Sequence, residues 1–163
     1  MPIKTVDDLF IHELSDTYSA EKQMTRSLPR MARAATDPQL AAAFEQHLEE
    51  TQGQIDRIDR IVEATGIKLK RIKCVAMEGL IEEARDTIDE IEKGPVLDAA
   101  LIGSAQKAEH YEIASYTTLI LLARRLGHAD AQKLLSETLA EEKATDEKLG
   151  TIAAAAKLQE AGR

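Results

Sequence analysis

Residues 108–116 read AEHYEIASY and lie inside the longest apolar-periodic run of the chain. At about 100° per residue, the inward stripe of that run is Leu101, Ala105, Glu109, Glu112, Tyr116, Leu119, Ala123 and Leu126. Two carboxylates and a phenol therefore occupy the middle of an otherwise apolar face. Lys107, His110, Arg124 and Arg125 fall on the outward side. A carboxylate taken out of water is costly unless it meets a charge partner, a shared proton or a metal ion. A helix of this kind can be buried only against neighbours that bring matching polar groups to the same depth.

The other segments carry that pattern. Thr5 followed by Asp7 and Asp8 marks a helix start. The stripe behind it is Val6, Leu9, Phe10, Thr17, Ala20, Met24, Leu28 and Met31, with Glu21 on its edge and Glu13 near its middle. Pro29 predicts a kink or a split-off last turn, and Asp37-Pro38 predicts a fresh start. A second helix, 38–64, stops at Thr65-Gly66 and turns Leu40, Ala43, Phe44, His47, Thr51, Gln54, Ile55, Ile58 and Ile61 inward, with Glu50 beside them. A basic connection over 67–72 leads to a weaker amphipathic segment over 73–92, whose centre has no inward acid. Gly94-Pro95 opens the helix already described, over 96–126, and Gly127 is its predicted stop. The last helix, from 129 to about 157, has Glu142 inside its stripe, with Glu141 and Asp146 on the two edges. The final LQEAGR is expected to fray.

Composition agrees with helices throughout: aromatic residues are 3%, Trp is absent, and Ala, Leu, Ile, Glu and Lys dominate. The 163 residues suit a single domain spanning 1–163. A net charge of −8 argues against a general nucleic-acid binder. The single cysteine, Cys74, excludes an internal disulfide and a Cys-rich zinc site and reads as a small buried apolar residue. No apolar run approaches a membrane span and no leader segment is visible, so no membrane partner and a cytoplasmic location are expected.

Four long helices and one extra segment fit an all-α bundle in which two helix pairs are joined by a long connection. Each long helix then delivers acid at about mid-height: Glu21, Glu50, Glu109 with Glu112, and Glu142. Together these would repel strongly if ionised and unpaired. Two divalent cations held about 3.5–4 Å apart by bridging carboxylates would relieve that repulsion. A buried acid network satisfied by Lys, Tyr or water is the alternative.

The segments IHELSDTYSAEKQ (11–23), FEQHLEETQGQI (44–55), KCVAMEGLIEEA (73–84), AEHYEIASY (108–116) and LAEEKATD (139–146) together resemble the YciF/YciE-type stress-induced bacterial proteins of the ferritin-like superfamily. The resemblance implies a ferritin-like left-handed four-helix bundle with an additional short crossover helix, a homodimer, and a link to stress responses. It also aligns Glu109 and Glu112 with the Glu-x-x-Glu of rubrerythrin-type sites, Glu21 with the first-helix Glu, and Glu50 and Glu142 with the carboxylates of two Glu-x-x-His motifs. Both histidine positions differ, since Gly53 and Thr145 stand there. His47, one turn before Glu50, offers an imidazole from the other side, and Gln54 and Asp146 are weaker candidate ligands. Tyr116 is expected to donate a hydrogen bond to one of the carboxylates. An oxygen-rich site suits hard cations, and binuclear iron or manganese is the expected cofactor.

Two function classes remain open at this level. One is a di-metal protein that oxidises ferrous iron or consumes peroxide. The other is a non-enzymatic structural or interaction stress protein with a vestigial acid cluster. Converging acids favour the first, and the missing histidines favour the second.

Overall fold

The structure, a computed structural model, describes residues 2–156. Its first helix, α1 (Val6–Ala34), begins where Thr5 Oγ1 accepts from the Asp8 amide at 3.0 Å and Asp8 Oδ2 accepts from the Thr5 amide at 3.1 Å. This reciprocal pair satisfies two donors that a helix start leaves free. The helix continues through Pro29 without losing its last turn, contrary to the expected split. Proline removes one donor, but buried Leu28 and Met31 anchor the residues on either side of it.

Helix α2 (Pro38–Thr65) starts on Asp37, whose carboxylate accepts from the Gln39 amide at 2.8 Å, and ends on Gly66 at φ 69°. Helix α3 (Val75–Glu90) is capped by Cys74, whose thiol accepts from the Met77 amide. Helix α4 (Pro95–Arg125) follows Gly94, and α5 (Ala129–Ala155) follows Gly127 at φ 72°. The left-handed backbone at Gly66 and Gly127 needs a residue without Cβ. The tail expected to fray falls outside the described residues. No strand occurs among the described residues, and none of their helices is long and apolar enough to cross a membrane.

The four long helices form a ring in which α1 packs on α2, α2 on α5, α5 on α4 and α4 on α1. Two apolar clusters fill it. One gathers the end of α1, the start of α2, the start of α4 and the end of α5, including Leu28, Phe44, Leu101 and Ile152. The other gathers the opposite ends, including Phe10, Leu14, Ile61, Leu119 and Leu135. Adjacent helices are therefore antiparallel. In α1 the buried stripe passes through Leu14, while Glu13 is only half-buried and Val6 is exposed.

Because α2 ends at one pole and α4 starts at the other, the chain must return along the bundle. Residues 66–74 do this in extended form, with Ser15 and Ser19 of α1 accepting from the Lys70 and Cys74 amides, each at 2.9 Å. Helix α3 then packs on α4 and α1.

At the top of the ring Asp98 of α4 fastens the link between α1 and α2. Its carboxylate accepts from the Thr36 amide at 2.8 Å, the Thr36 hydroxyl at 2.6 Å and the Asp37 amide at 2.9 Å. Asp98→Ala removes the buried acceptor of three hydrogen bonds from exposed Thr36 and half-buried Asp37, and is expected to cost about 2–3 kcal/mol. That corresponds to a melting temperature about 5–10 °C lower by circular dichroism.

Candidate metal centre

Between the two apolar clusters lies a polar layer. It contains Thr17 and Glu21 from α1; His47, Thr51 and Gln54 from α2; Glu109, Glu112 and Tyr116 from α4; and Thr138 and Glu142 from α5, all buried. At the centre His47, Glu109, Glu112 and Glu142 each present one ligand atom, and these atoms lie within 4.8 Å of one another. Donors about 2.0–2.2 Å from a shared ion sit at most about 4.4 Å apart, so a small contraction would close the group around one.

Glu21 stands beside this group. Its Oε1 accepts from the Tyr116 hydroxyl at 2.6 Å, as expected for that tyrosine, and its Oε2 has no donor. The same is true of both carboxylate oxygens of Glu109, Glu112 and Glu142, of both ring nitrogens of His47, and of the amide atoms of Gln54. His47 Nε2 approaches Glu109 Oε1 to 2.9 Å and Glu142 Oε2 to 3.8 Å, without hydrogen-bond direction to either. Buried polar atoms are almost always paired, so this many converging free acceptors mark a place built for something else. Carboxylate oxygens plus one imidazole are a donor set that fits manganese or iron.

The electrostatics agree. Burial, then the charge of Glu142, holds the Glu21 carboxyl well above the ordinary range. Burial and the Glu142 carboxylate do the same to Glu109, and burial with Glu142 and Glu21 to Glu112. Glu142 is held below its usual value: burial opposes this, but the polar neighbours Glu109 and His47 outweigh it. Burial would depress His47, yet the carboxylates of Glu109 and Glu142 carry it well above the usual histidine value. Without a metal, burial thus disfavours ionisation of Glu21, Glu109 and Glu112, while the surrounding groups favour the charged forms of Glu142 and His47.

Not every sequence candidate joins the cluster. Glu50 is half-buried at the α2–α5 seam, where it accepts from Gln46 Nε2 and from Thr145 Oγ1, each at 3.2 Å. Asp146 is also half-buried, with Oδ2 3.2 Å from Nε2 of the exposed His110 and Oδ1 buried without a partner. Gln54 is buried in the layer with both amide atoms unpaired. Glu141 turns away and pairs with Arg57, which leaves the interior to Glu142. His47 is central, and its signal in the sequence was its inward phase one turn before Glu50. Cys74 is fully buried, as expected, but its thiol also touches the Tyr111 hydroxyl at 3.1 Å, and that hydroxyl donates to Asp16 at 2.7 Å.

Fold and site together define an all-helical bundle with a buried His/Glu constellation across its waist. The chain belongs to the family described as "Domain of unknown function (DUF892)", whose profile matches residues 5–162. It is 62% identical to Protein YciF of Escherichia coli K12 over 154 residues, covering 94% of this chain and 93% of that one. The crystal structure of the E. coli stress protein YciF superposes with a TM-score of 0.91, covering 93% of this chain and 96% of that one. YcfI from Rhodopseudomonas palustris, 48% identical, superposes with a TM-score of 0.88 over 91% of this chain and 95% of its own. A Xanthomonas campestris protein at 25% identity reaches 0.72 over 92% of this chain and 91% of its own.

Proposed function

We propose that this chain is a ferritin-like stress protein that holds a pair of iron or manganese ions in its core. The observation that carries the reading is the convergence of four buried ligand atoms within 4.8 Å, none of them hydrogen-bonded. One ion would be held by His47, Glu109, Glu112 and Glu142. Glu21, through its free Oε2, would help to hold the second together with the neighbouring Glu112 and Glu142. Tyr116 fixes the other oxygen of Glu21 and so orients that ligand. Glu50 and Asp146, both half-buried, stand further out. The apolar clusters on either side keep water from the layer.

In this reading the bundle is left-handed and α3 is its crossover helix. An iron or manganese pair supplies one-electron exchange with ferrous iron, oxygen or peroxide. The chain's part is to release the protons of Glu109, Glu112, Glu21 and His47 and to present their lone pairs. The stress association of YciF supports a protective role. A homodimer in the cytoplasm completes the proposal, in keeping with Val75 and Val96, which are 76% and 58% exposed.

The test is metal content by mass spectrometry, on protein made without chelators and then offered Fe²⁺ or Mn²⁺. About two ions per chain are expected. No bound metal under any loading would overturn the proposal. That outcome would support the second reading, a structural or interaction protein, which is favoured by the structural role suggested for YcfI.

A further inference from the structure

We propose that the seam between α2 and α5 is the port through which cations reach the core, and that Glu50 is the ligand that passes them inward. This rests on the metal-centre reading above. A cavity of about 70 Å³ opens at the seam, lined by Ala43, Gln46, His47, Glu50, Thr145 and Lys148 among others. His47, 2% exposed and with both ring nitrogens free of hydrogen bonds, is its inner wall. It therefore belongs both to the cavity and to the central four-residue group. The larger grooves along α1, against α3 and against residues 69–73, include none of the central residues.

The side chains at the mouth are ordered for this task. Glu50 is half-buried, one helical turn from His47, so its carboxylate meets solvent on one side and the cavity on the other. Gln46 and Thr145 hold its two oxygens from opposite helices. Lys148 donates to Gln46 Oε1 at 2.7 Å and so ties α5 to α2 across the opening. A carboxylate at a mouth of low dielectric concentrates cations, and an ammonium beside it opposes them. Small residues at Ala43 and Ala144 leave the space between. An incoming ion can exchange water for Glu50 and then for the imidazole one turn deeper, with no helix displaced.

The experiment follows Co²⁺ uptake by the metal-free full-length protein in a stopped-flow instrument, with end-point metal content measured by mass spectrometry. Glu50→Gln keeps shape and removes charge. It is expected to slow uptake by about tenfold while leaving the final content unchanged. Lys148→Ala removes both the ammonium and the tie, and is expected to speed uptake. A packing role alone would not produce opposite signs at equal final content. Rates unchanged in both variants would overturn the port. So would a fall in final content with Glu50→Gln, which would make Glu50 a ligand of the centre itself. No uptake by the unsubstituted protein overturns the metal-centre reading, and the port with it.

Discussion

Raising the pH from about 5 to about 8 is expected to destabilise the metal-free protein and to widen the stabilisation that Mn²⁺ confers. The signs follow from the buried layer. The carboxyls of Glu21, Glu109 and Glu112 are raised well above the ordinary range, chiefly by burial. The folded chain therefore keeps protons that the unfolded chain releases near pH 4.3. Their contribution to stability is complete below that value and is lost as the pH climbs toward the folded values. His47, also raised, adds a second loss that begins near its unfolded value of about 6.5. Glu142, lowered, has the opposite sign, but its contribution is complete above its unfolded value and stays flat across this range.

Metal reverses the slope because it must displace the same protons, so it binds more tightly as the pH rises. At a thousandfold excess over Kd, binding adds about 4 kcal/mol, or about 10 °C in melting temperature for a chain of this size. Up to about four protons per chain should be released, one each from Glu21, Glu109, Glu112 and His47. Thermal scans with and without Mn²⁺ at several pH values test the slopes, and a pH electrode counts the protons. A metal-free melting temperature that rises from pH 5 to pH 8 would contradict the protonated layer, and Mn²⁺ that adds nothing would contradict the centre.

Much of this layer was legible in the sequence because its signals are local. Thr5, Asp37-Pro38, Gly66 and Gly127 mark helix ends through their own hydrogen bonds and backbone angles, and all four do so in the fold. Glu109, Glu112 and Tyr116 stand at the centre of their stripe and are buried. Glu142 separates from Glu141 by phase, and Arg57 reinforces the difference by holding Glu141 outside. Pro29 does not split off the last turn, because packing on both sides compensates for one missing donor.

The balance between His47 and Glu50 was the hardest to read. Residues three apart on a helix lie about 60° from each other, so both can sit at one seam. The choice depends on the tilt of α2 against α5, which no local pattern encodes. Its place as the mid-height acid of its helix and the family resemblance both brought Glu50 forward as a ligand, whereas the structure buries His47 and leaves Glu50 at the edge. The cap on α3 was likewise invisible, because Cys74 capping depends on the path of 66–74 along α1.

Two single substitutions in the same cluster should both remove the metal yet move the metal-free protein in opposite directions. Glu109→Gln and Glu142→Gln each delete one of the four converging ligands. Losing a partner outside the ligand set already costs about 10–100-fold in affinity, so losing a ligand should weaken binding at least about a hundredfold. In the metal-free state the two differ. Burial and Glu142 both disfavour the ionised form of Glu109, so a neutral amide is a closer substitute there than at Glu142. Removing an acid that resists ionisation should raise stability near pH 8 by about 1 kcal/mol. Glu142 is the acid whose ionised form the layer favours, with His47 Nε2 3.8 Å from its Oε2 and 2.9 Å from Glu109 Oε1. Glu142→Gln takes the counter-charge from a buried imidazolium and should cost about 2–3 kcal/mol, with His47 shedding its proton in response. Metal content by mass spectrometry, unfolding in urea at pH 8, and the His47 imidazole followed by NMR through a pH titration decide the matter. Full metal content in both variants would remove Glu109 and Glu142 from the ligand set. Stability changes of the same sign would mean that the negative charge of the layer resides elsewhere than on Glu142.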